Sequence, residues 1–480
     1  MSTDQAVTYD VIVLGAGSTG ENVADVAVQR GLSACVVEAE LVGGECSYWA
    51  CMPSKALLRP GQALADAGAV DGAKQAITGT VDATAAFGRR TVFTHNWDDE
   101  SQAAWLTRAK IELYRGRGAL AGERTVTVTS SDGEVTTLRA RHAVVVATGS
   151  TPFLPPIPGL ADAGVWTSRE ATSATWVPRR LAILGGGVVG VEMATAYRSL
   201  GAERVMLIEG GPRVLAKYED FVGNAVTAGL RARGVDIRTG THVVGIERLV
   251  SDGPIRVSFE DGRLVEADAV LVAVGRRART EDIGVETVGL EPGAYIDVDD
   301  TLLATGVEGG WLYAAGDVNG RVLLTHQGKY QARACGEAIA ARARGESITG
   351  AAWDRASATA DHAAVPQVVF TDPEVAAVGL TEAQARAEGH QVRAVEYEIG
   401  DVAGASVYAD GYAGHAKMVV DNERNVVLGV TLVGPAVGEL IHAATVMVVG
   451  EVPIDRLWHA VPSYPTISEV WLRLLEALGR

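Results

Sequence analysis

Two stretches of the chain repeat one pattern of apolar and polar positions. Residues 11–38 and 181–209 each begin with a short β-branched apolar run, followed by a glycine turn and a helix-length segment rich in Ala and Val. Each then closes with a second apolar run and a glutamate. Apolar runs of four to six residues bounded by glycine or polar residues predict buried strands. The helical segments are predicted to end near Gly31 and Gly201, where a C-terminal glycine belongs. The pattern therefore predicts two βαβ units.

The rest of the chain carries weaker versions of the same signals. Residues 61–120 are predicted to be mostly helical, and residues 345–361 are poor in pattern and could form a linker. From residue 366 to Arg480 the pattern alternates strands with two helical segments. Three further apolar runs end in glycine, and they are predicted to be strands. They lie in residues 142–152, 269–280 and 309–320.

The first glycine turn has the spacing of a dinucleotide-binding loop. Gly15, Gly17 and Gly20 form G-x-G-x-x-G directly after a predicted strand and at the start of a predicted helix. The first glycine permits a tight turn, the second admits a pyrophosphate, and the third allows close helix–strand packing. The helix N-terminus adds N–H donors for the anion. Glu38 ends the next predicted strand, where a carboxylate accepts hydrogen bonds from ribose hydroxyls.

The second glycine turn repeats this spacing with Gly185, Gly187 and Gly190, and Glu209 follows the next predicted strand. A carboxylate at that place favours a free 2′-hydroxyl and repels a 2′-phosphate. The residues therefore favour NADH over NADPH, although Arg213 lies close enough in sequence to leave NADPH open.

Composition and charge narrow the class of protein. The chain has 480 residues, which allows two to four domains, and 48% hydrophobic residues provide for large cores. The net charge of −17 argues against nucleic acid and anionic membranes as partners. No apolar run is long enough to span a bilayer, and residues 1–10 lack the basic region of a signal peptide. We therefore expect a cytoplasmic protein that does not contact membranes.

The cysteines carry the most specific chemical signal. Only four occur, which is too few for a secreted disulfide framework, and Cys46 and Cys51 are two of them. Metal sites usually require closer spacing and a second ligand pair, so no metal site is predicted. C-x4-C fits a redox disulfide better, because one helical turn can bring the two sulfurs together. Pro53 fits the start of a helix, whose N-terminus would stabilise a thiolate on Cys51.

At this point the chain resembles the flavin-dependent pyridine nucleotide–disulfide oxidoreductases, a family that includes dihydrolipoamide dehydrogenase, glutathione reductase and mercuric reductase. The resemblance runs from about residue 8 to residue 475. It is carried by eight motifs in order: GAGSTG, GGECSYWACMPSK, VATGS, GGGVVGVEM, VAVGRR, AAGD, VVFTDPEVAAVGLTE and SYPTISE.

The resemblance implies an α/β fold with two Rossmann-like doubly wound nucleotide-binding domains, one for FAD and one for NAD, and a C-terminal α+β dimerisation domain. The implied boundaries are residues 1–153 and 278–350 for the FAD domain, 154–277 for the NAD(P) domain and 351–480 for the interface domain. It further implies a homodimer in which the C-terminal domain of one subunit completes the active site of the other, with a small molecule as electron acceptor.

The resemblance also implies roles for individual residues. Cys46 would be the interchange thiol, and Cys51 would face the flavin and form a charge-transfer complex. Lys55 would lie by the flavin N5 and pair with Glu192. Asp317 would bond the ribityl chain. The full implied cofactor-binding set for FAD and NAD(P)H is Gly15, Gly17, Ser18, Gly20, Glu38, Gly44, Thr148, Gly149, Gly185, Gly187, Gly190, Glu209, Gly275, Arg276, Gly316 and Asp317.

One motif departs from the family. The disulfide reductases carry His-Pro-Thr-x-x-Glu near the C-terminus, whereas this chain has Tyr464 in place of the histidine and Glu469 in its usual place. An imidazole titrates near pKa ~6.5 and a phenol near ~10, so Tyr464 is a poor base at neutral pH but can donate a hydrogen bond. Mercuric reductases share the tyrosine, but their C-terminal cysteine pair is absent from this sequence, which closes on LLEALGR. His459 is an alternative acid–base residue.

The sequence therefore predicts an FAD-dependent NAD(P)H oxidoreductase that passes electrons through Cys46 and Cys51 to a disulfide or another thiol-reactive acceptor. Three alternatives stay open at this point. They are a quinone or diaphorase-type reductase with direct flavin-to-acceptor transfer, a mercuric-ion-type reductase, and a dihydrolipoamide dehydrogenase. A flavoprotein with little turnover is a further alternative, which the intact cofactor motifs disfavour. Tyr48 and Trp49 are predicted either to narrow the disulfide pocket or to pack in the core.

Overall fold

The structure is a computed structural model that describes residues 6–248, 250–251 and 253–479. Its described residues form two compact units. The first comprises the residues up to Pro53, Thr91–Phe153 and Gly275–Asp361. The second comprises Ser54–Arg90, Leu154–Val274 and the residues from His362 onwards.

Strands β1 to β11 are Val7–Leu14, Ala34–Glu38, Glu112–Arg115, Arg117–Leu120, Thr125–Thr129, Val135–Val146, Ser150–Pro152, Arg180–Leu184, Arg204–Ile208, Val235–Arg238 and Val243–Arg248. Strands β12 to β21 are Ile255–Phe259, Leu264–Ala267, Ala269–Val272, Arg276–Ala278, Leu312–Ala314, Gln367–Val369, Val375–Gly379, Val392–Glu398, His415–Asp421 and Val426–Val433.

Helices α1 to α8 are Gly20–Gln29, Gly44–Tyr48, Cys51–Gly68, Ala83–Phe93, Glu100–Arg108, Ser168–Ser173, Val188–Ser199 and Asp220–Ala232. Helices α9 to α15 are Thr325–Ala343, Ala360–Ala363, Glu382–Ala387, Ala403–Tyr408, Ile441–Val449, Ile454–Leu457 and Val470–Leu478.

The first unit is built on a sheet with the order β3-β2-β1-β6-β5-β4, and β16 pairs with β6. Strands β3, β2, β1, β6 and β16 run parallel, whereas β5 and β4 extend the sheet in antiparallel fashion. Alternate residues of β1 enter two different cores: Val11 and Val13 pack on one side, and Ile12 and Leu14 on the other. A strand buried on both faces reads as a continuous apolar run, which is how β1 appears in the sequence.

The second unit contains a parallel sheet with the order β10-β9-β8-β14 and a small antiparallel sheet, β11-β12-β13. Its C-terminal part holds a five-stranded antiparallel sheet, β17-β18-β21-β20-β19, with α13 and α15 packed on it. Parallel strands joined by helices, followed by an antiparallel sheet with its own helices, give the α/β and α+β parts that the resemblance implied. The predicted fold class is confirmed.

The repeated pattern of residues 11–38 and 181–209 is confirmed in detail. Strand β1 ends one residue before Gly15, α1 begins at Gly20, and β2 ends at Glu38. Strand β8 likewise ends one residue before Gly185, α7 begins at Val188, and Glu209 follows β9 directly.

The predicted helical character of residues 61–120 is correct only in part. Helices α3, α4 and α5 occupy much of this stretch, but β3 and β4 lie in its last ten residues. These strands are short, so their pattern of apolar and polar residues does not distinguish them from the neighbouring helical segments. The three-domain division stays a prediction. Within the described ranges, no helix combines the length and the apolar character needed to cross a membrane.

Candidate active site

The first glycine turn assigns different tasks to its three glycines. Gly15 has φ +97°, and a Cβ there would collide with the carbonyl group of Ala147. A Cβ on Gly20 would overlap the carbonyl oxygen of Gly15. A Cβ on Gly17, in contrast, would meet nothing closer than Gly44 Cα at 3.9 Å. The first and third glycines are thus required by the fold, whereas the second leaves open space beside the start of α1. This open cradle fits the pyrophosphate of FAD.

The second glycine turn has the same division of tasks. A Cβ on Gly185 would strike the carbonyl oxygen of Ala273, and one on Gly190 would overlap the carbonyl oxygen of Gly185. A Cβ on Gly187, the residue that caps α7, would meet no atom within 4 Å. Because the middle glycine is again the one that packing does not require, its lack of a side chain points to a ligand. The turn fits a second dinucleotide.

The two strand-end glutamates are tied to the glycine turns by backbone hydrogen bonds. Glu38 accepts from the N–H groups of Ala16 (2.7 Å) and Glu40 (2.8 Å). Glu209 accepts from the N–H groups of Gly186 and Gly211, both at 2.6 Å. Burial raises the pKa of Glu38, and the backbone donors oppose that shift. The spacing predicted where the carboxylates lie but not these backbone partners.

A polar network surrounds Asp317 in the first unit. Ser150 Oγ donates to Asp317 Oδ2 at 2.6 Å, and Arg276 Nε donates to Ser150 Oγ at 2.6 Å. Arg276 also donates from Nη2 to the Ser150 carbonyl oxygen at 2.9 Å. Burial raises the pKa of Asp317, while Ser150 and Arg276 act in the opposite direction. Asp317 and Arg276 belong to the predicted cofactor-binding set, but Ser150 does not. Ser150 directly follows Thr148 and Gly149 in the VATGS motif.

The remaining predicted cofactor residues of the first unit lie between helices and strands, except Gly44, which begins α2. Thr148 Oγ1 donates to the carbonyl oxygen of Arg279 at 2.8 Å, and the Arg279 N–H donates to the carbonyl oxygen of Gly149 at 3.0 Å. Positive φ angles occur at four of these glycines, Gly44, Gly149, Gly275 and Gly316. The Ser18 carbonyl accepts from the Asn22 side chain at 2.8 Å.

The structure brings Cys46 and Cys51 together at the junction of two helices. Cys46 lies in α2, Cys51 is the first residue of α3, and their side chains are hydrogen-bonded. Thr325 Oγ1, at the start of α9, lies 3.2 Å from Cys51 Sγ. The pKa of Cys46 is raised, first by the hydrogen bond with Cys51 and then by burial, and the Thr325 hydroxyl and the Lys329 ammonium act in the opposite direction. Sequence reasoning missed both α9 residues, since nothing in the spacing links them to the cysteines.

The other two cysteines are placed differently. Cys35 in β2 and Cys335 in α9 are fully buried in the cores of the first unit. Burial raises the pKa of both thiols. Buried neutral thiols are inert, whereas Cys46 and Cys51 are only partly buried.

The predicted ion pair between Lys55 and Glu192 is present in the second unit. Lys55 Nζ lies 2.8 Å from Glu192 Oε2, and Glu192 is only 3% exposed. The other carboxylate oxygen, Oε1, accepts from the Phe370 N–H at 3.1 Å, and the Lys55 ammonium stands over the Phe370 ring at 4.8 Å from its centroid. The Glu192 carboxylate and the Phe370 ring therefore both contact the Lys55 ammonium, and the Phe370 N–H in turn holds Glu192.

The C-terminal motif lies in the second unit. Tyr464 is 76% exposed, and His459 is also exposed. Glu469 Oε1 accepts from Arg473 Nη2 at 2.6 Å. Its other oxygen, Oε2, is buried and has no hydrogen-bond partner among the described residues. This carboxylate is therefore only half satisfied within one chain, in keeping with a motif that lacks its imidazole.

Tyr48 serves packing rather than the pocket. It is fully buried, and its hydroxyl donates to Gln102 Oε1 at 2.7 Å. The Trp49 ring is partly buried and lies 5.7 Å from the Tyr48 ring. Of the two predicted roles for this pair, core packing is the one that holds for Tyr48.

Comparison with known proteins adds an independent line of evidence. Residues 9–335 match the family described as pyridine nucleotide-disulphide oxidoreductase, and residues 365–474 match the dimerisation domain of the same family. Similar relatives include a dihydrolipoyl dehydrogenase from Synechocystis sp. (31% identical, covering 97% of this chain and 98% of the relative) and one from Thermus scotoductus (32% identical, covering 98% of both).

Two solved structures share the fold. They are the HOCl-induced flavoprotein disulfide reductase RclA from Escherichia coli, with a TM-score of 0.83, and LpdA from Mycobacterium tuberculosis, with a TM-score of 0.82. Both are 24% identical to this chain. The first covers 98% of this chain and 100% of its own length, and the second 99% and 100%. At this identity the likeness supports the architecture.

Proposed function

Since the chain belongs to the pyridine nucleotide–disulphide oxidoreductase family, and is thus an FAD-dependent enzyme with NAD(P)H as electron donor, we propose that Cys46 and Cys51 form its redox-active disulfide. In this proposal the pair passes electrons to a disulfide or to another thiol-reactive acceptor. The observation that carries it is the contact between the two cysteine side chains, with Thr325 Oγ1 3.2 Å from Cys51 Sγ. FAD, when bound, supplies two-electron transfer between the nicotinamide and the thiols.

The protein's own part is to hold and activate the sulfurs. Cys51 begins α3, so the positive end of that helix favours a thiolate on its sulfur. Lys55, four residues on in the same helix, is anchored by Glu192, which keeps its charge at a fixed place. Cys46 is partly buried rather than enclosed in the core.

Dihydrolipoamide is a second candidate substrate. The relatives named above are dihydrolipoyl dehydrogenases, and this chain aligns with them over nearly their whole length. Tyr464 weighs against it. A phenol with pKa near ~10 does not exchange protons at neutral pH as the family's histidine does. The acceptor proposed first is therefore a disulfide or electrophile whose reduction does not depend on that imidazole.

We also propose that the active enzyme is a homodimer, as the dimerisation domain supports. The dimer would cover Tyr464 and the half-satisfied carboxylate of Glu469, and Tyr464 would donate a hydrogen bond at the partner's thiols.

The central prediction concerns the number of thiols. Oxidised holoenzyme, denatured and alkylated with N-ethylmaleimide, is expected to carry label on Cys35 and Cys335 only. One equivalent of NADH under anaerobic conditions is expected to add label at Cys46 and Cys51, so that all four cysteines react. Mass spectrometry of the labelled peptides measures both states. Protein that carries bound FAD but gains no label after NADH would contradict the proposal and favour direct transfer from the flavin.

We further propose NADH as the preferred donor. The Glu209 carboxylate is held against the second glycine turn, whereas Arg213 is engaged elsewhere: its Nη2 lies 2.8 Å from Asp220 and donates to the carbonyl oxygens of Ala216 and Tyr218, both at 3.0 Å. The Arg213 guanidinium is therefore not available to bind a 2′-phosphate.

The coenzyme preference is tested by Glu209→Gln. Removing the charge that repels a 2′-phosphate is expected to raise the kcat/KM ratio of NADPH to NADH by about tenfold. Glu203→Gln is the matched control, because Glu203 is exposed and pairs with Arg179 at 2.8 Å. Steady-state kinetics with both donors give the ratio, and an unchanged ratio in Glu209→Gln would remove this residue from coenzyme selection.

A further inference from the structure

The turn that carries Asp317 packs against the first glycine turn. It follows β16, which pairs in parallel with β6, and β6 in turn pairs in parallel with β1. Gly316 and Gly15 therefore leave the sheet at the same edge, where ligands bind to sheets of this kind. A Cβ on Gly316 would lie only 2.8 Å from Thr19 Oγ1, just before α1. The turn of Asp317 is thus a neighbour of the cradle that fits the FAD pyrophosphate.

One side-chain atom of α9 holds this turn on both sides of Asp317. Gln331 Oε1 accepts from the Gly316 N–H at 2.7 Å and from Asn319 Nδ2 at 2.8 Å. Gly316 directly precedes Asp317, and Asn319 lies two residues after it. Because Gln331 is fully buried, water does not compete for these two hydrogen bonds.

A buried carboxylate holds the other end of the Gln331 amide. Gln331 Nε2 donates to Asp361 Oδ2 at 2.9 Å, and Gln327 Nε2 donates to Asp361 Oδ1 at 3.0 Å. The Asp361 side chain is fully buried, and the Arg321 guanidinium lies 3.8 Å from its Oδ2. An ionised carboxylate accepts hydrogen bonds but cannot donate them, so Asp361 faces the amide nitrogens of both glutamines.

The orientation of the Gln331 amide is therefore determined from both ends. Its oxygen faces the Gly316 N–H, which can only donate, and its nitrogen faces the Asp361 carboxylate. The Asn319 amide is determined in the same way, because its Oδ1 accepts from the Arg321 N–H at 3.1 Å. Reversing either amide would set two donors or two acceptors against each other.

The turn has few hydrogen bonds of its own. Gly316 has φ +82°, and Asp317–Asn319 form a single 3-10 turn, in which the Asn319 N–H donates to the Gly316 carbonyl oxygen at 3.1 Å. Ser150 Oγ donates to one oxygen of the Asp317 carboxylate, which has further lone pairs for ligand hydroxyls. A binding group that is already fixed in place loses less conformational freedom when its ligand binds.

We propose that Gln331 and Asp361 are positioning residues for FAD. Asp361 orients the Gln331 amide, and Gln331 holds the turn so that the Asp317 carboxylate is fixed in place before FAD binds. Neither Gln331 nor Asp361 belongs to the cofactor-binding set that the resemblance implies. The proposal rests on the assignment of Asp317 to the ribityl hydroxyls of FAD, and it is independent of the role proposed for the cysteines.

The test is the Kd of the full-length holoenzyme for FAD, measured by the fluorescence of free flavin after serial dilution and ultrafiltration. Gln331→Leu removes both the acceptor for the turn and the donor to Asp361, and it is expected to raise Kd about tenfold or more. Asp317→Ala is expected to raise Kd as well. Adding Gln331→Leu to Asp317→Ala is expected to change Kd by less than about twofold, because the carboxylate that Gln331 positions is gone. A merely structural role would not produce this non-additivity.

A swap of polarity tests the bond between Gln331 and Asp361. Gln331→Glu keeps an acceptor oxygen for the Gly316 N–H but sets two carboxylates against each other, so Kd is expected to rise about tenfold. Adding Asp361→Asn supplies an amide donor to the new carboxylate and is expected to restore Kd to within about threefold of the wild type. Both substitutions preserve side-chain size, so this pair also tests the proposal should Gln331→Leu fail to fold.

Thr301→Val is the matched control. Thr301 is buried in the same unit, and its hydroxyl donates to Asp299 Oδ1 at 2.7 Å and accepts from Arg342 Nη2 at 2.9 Å. These hydrogen bonds go to residues outside the turn of Asp317. The control is therefore expected to leave the Kd for FAD unchanged, even where it lowers stability toward urea.

Three outcomes would overturn the proposal: a wild-type Kd in Gln331→Leu, a Gln331→Leu effect of equal size with and without the Asp317 carboxylate, or a Gln331→Glu defect that Asp361→Asn does not relieve. NADH-dependent labelling of Cys46 and Cys51 in the wild type is measured separately. If that labelling fails while the Kd values follow the expected pattern, the redox role of the cysteines is wrong and the positioning of FAD stands.

Discussion

Cys46→Ser is expected to abolish the reduction of disulfide acceptors, by a factor of roughly 10^3 or more, while FAD remains bound. A serine hydroxyl can form no disulfide with Cys51 and is a far weaker nucleophile than a thiolate. The side chain is not part of either glycine turn, so the cradle at Gly17 is unaffected. NADH oxidation with lipoamide and with a small aromatic disulfide measures the loss.

The same variant distinguishes the thiol route from direct transfer. With menadione as acceptor, a quinone-type reductase would keep its turnover after Cys46→Ser, because its electrons leave the flavin without passing through sulfur. Cys335→Ala is the matched control, since Cys335 is fully buried in the core of the first unit and away from the pair. Disulfide reduction that survives Cys46→Ser at the level of Cys335→Ala would contradict the proposed role.

The second large effect is expected at the first glycine turn, where substitutions of two glycines are expected to affect different properties of the protein, its stability and its FAD occupancy. Gly20→Ala is expected to destabilise the fold by about 1–3 kcal/mol or more, because its Cβ would overlap the Gly15 carbonyl oxygen and the backbone must shift. Gly17→Ala is expected to leave the stability of the apoprotein nearly unchanged but to lower FAD occupancy strongly, because the methyl group fills the cradle.

Urea unfolding of apoprotein and the ratio of flavin to protein absorbance measure these two effects separately. Gly88→Ala is the control, because Gly88 lies in α4 with no atom within 4 Å of an added Cβ, and it is expected to change neither quantity for the worse. If Gly17→Ala retained full flavin occupancy, the open space beside Gly17 would not be the pyrophosphate site.

Much of the site follows from local sequence. The glycine spacing, the apolar runs that flank it and the distal Glu38 and Glu209 lie within about 30 residues of one another, a range over which strand, turn and helix signals act together. A strand that is buried on both faces is a continuous run of apolar residues. The sequence therefore predicts β1 and β8 without knowledge of the strands that pair with them. The pairing of Lys55 with Glu192, 137 residues apart, came from the resemblance and not from any local pattern.

The sequence by itself determined the two βαβ units, their glycine turns, the helical start at Cys51 and the departure at Tyr464, because each is encoded by residues close together in the chain. The complete fold class came from the family resemblance. Only the tertiary structure decided which distant side chains meet the sulfurs. Thr325 lies 274 residues from Cys51, and it reaches that sulfur because α9 packs on α1 through Gly328. Contacts of this kind depend on how helices cross, which periodicity does not specify. Burial rather than sequence position likewise raises the pKa of the Glu21 carboxyl group to about 7.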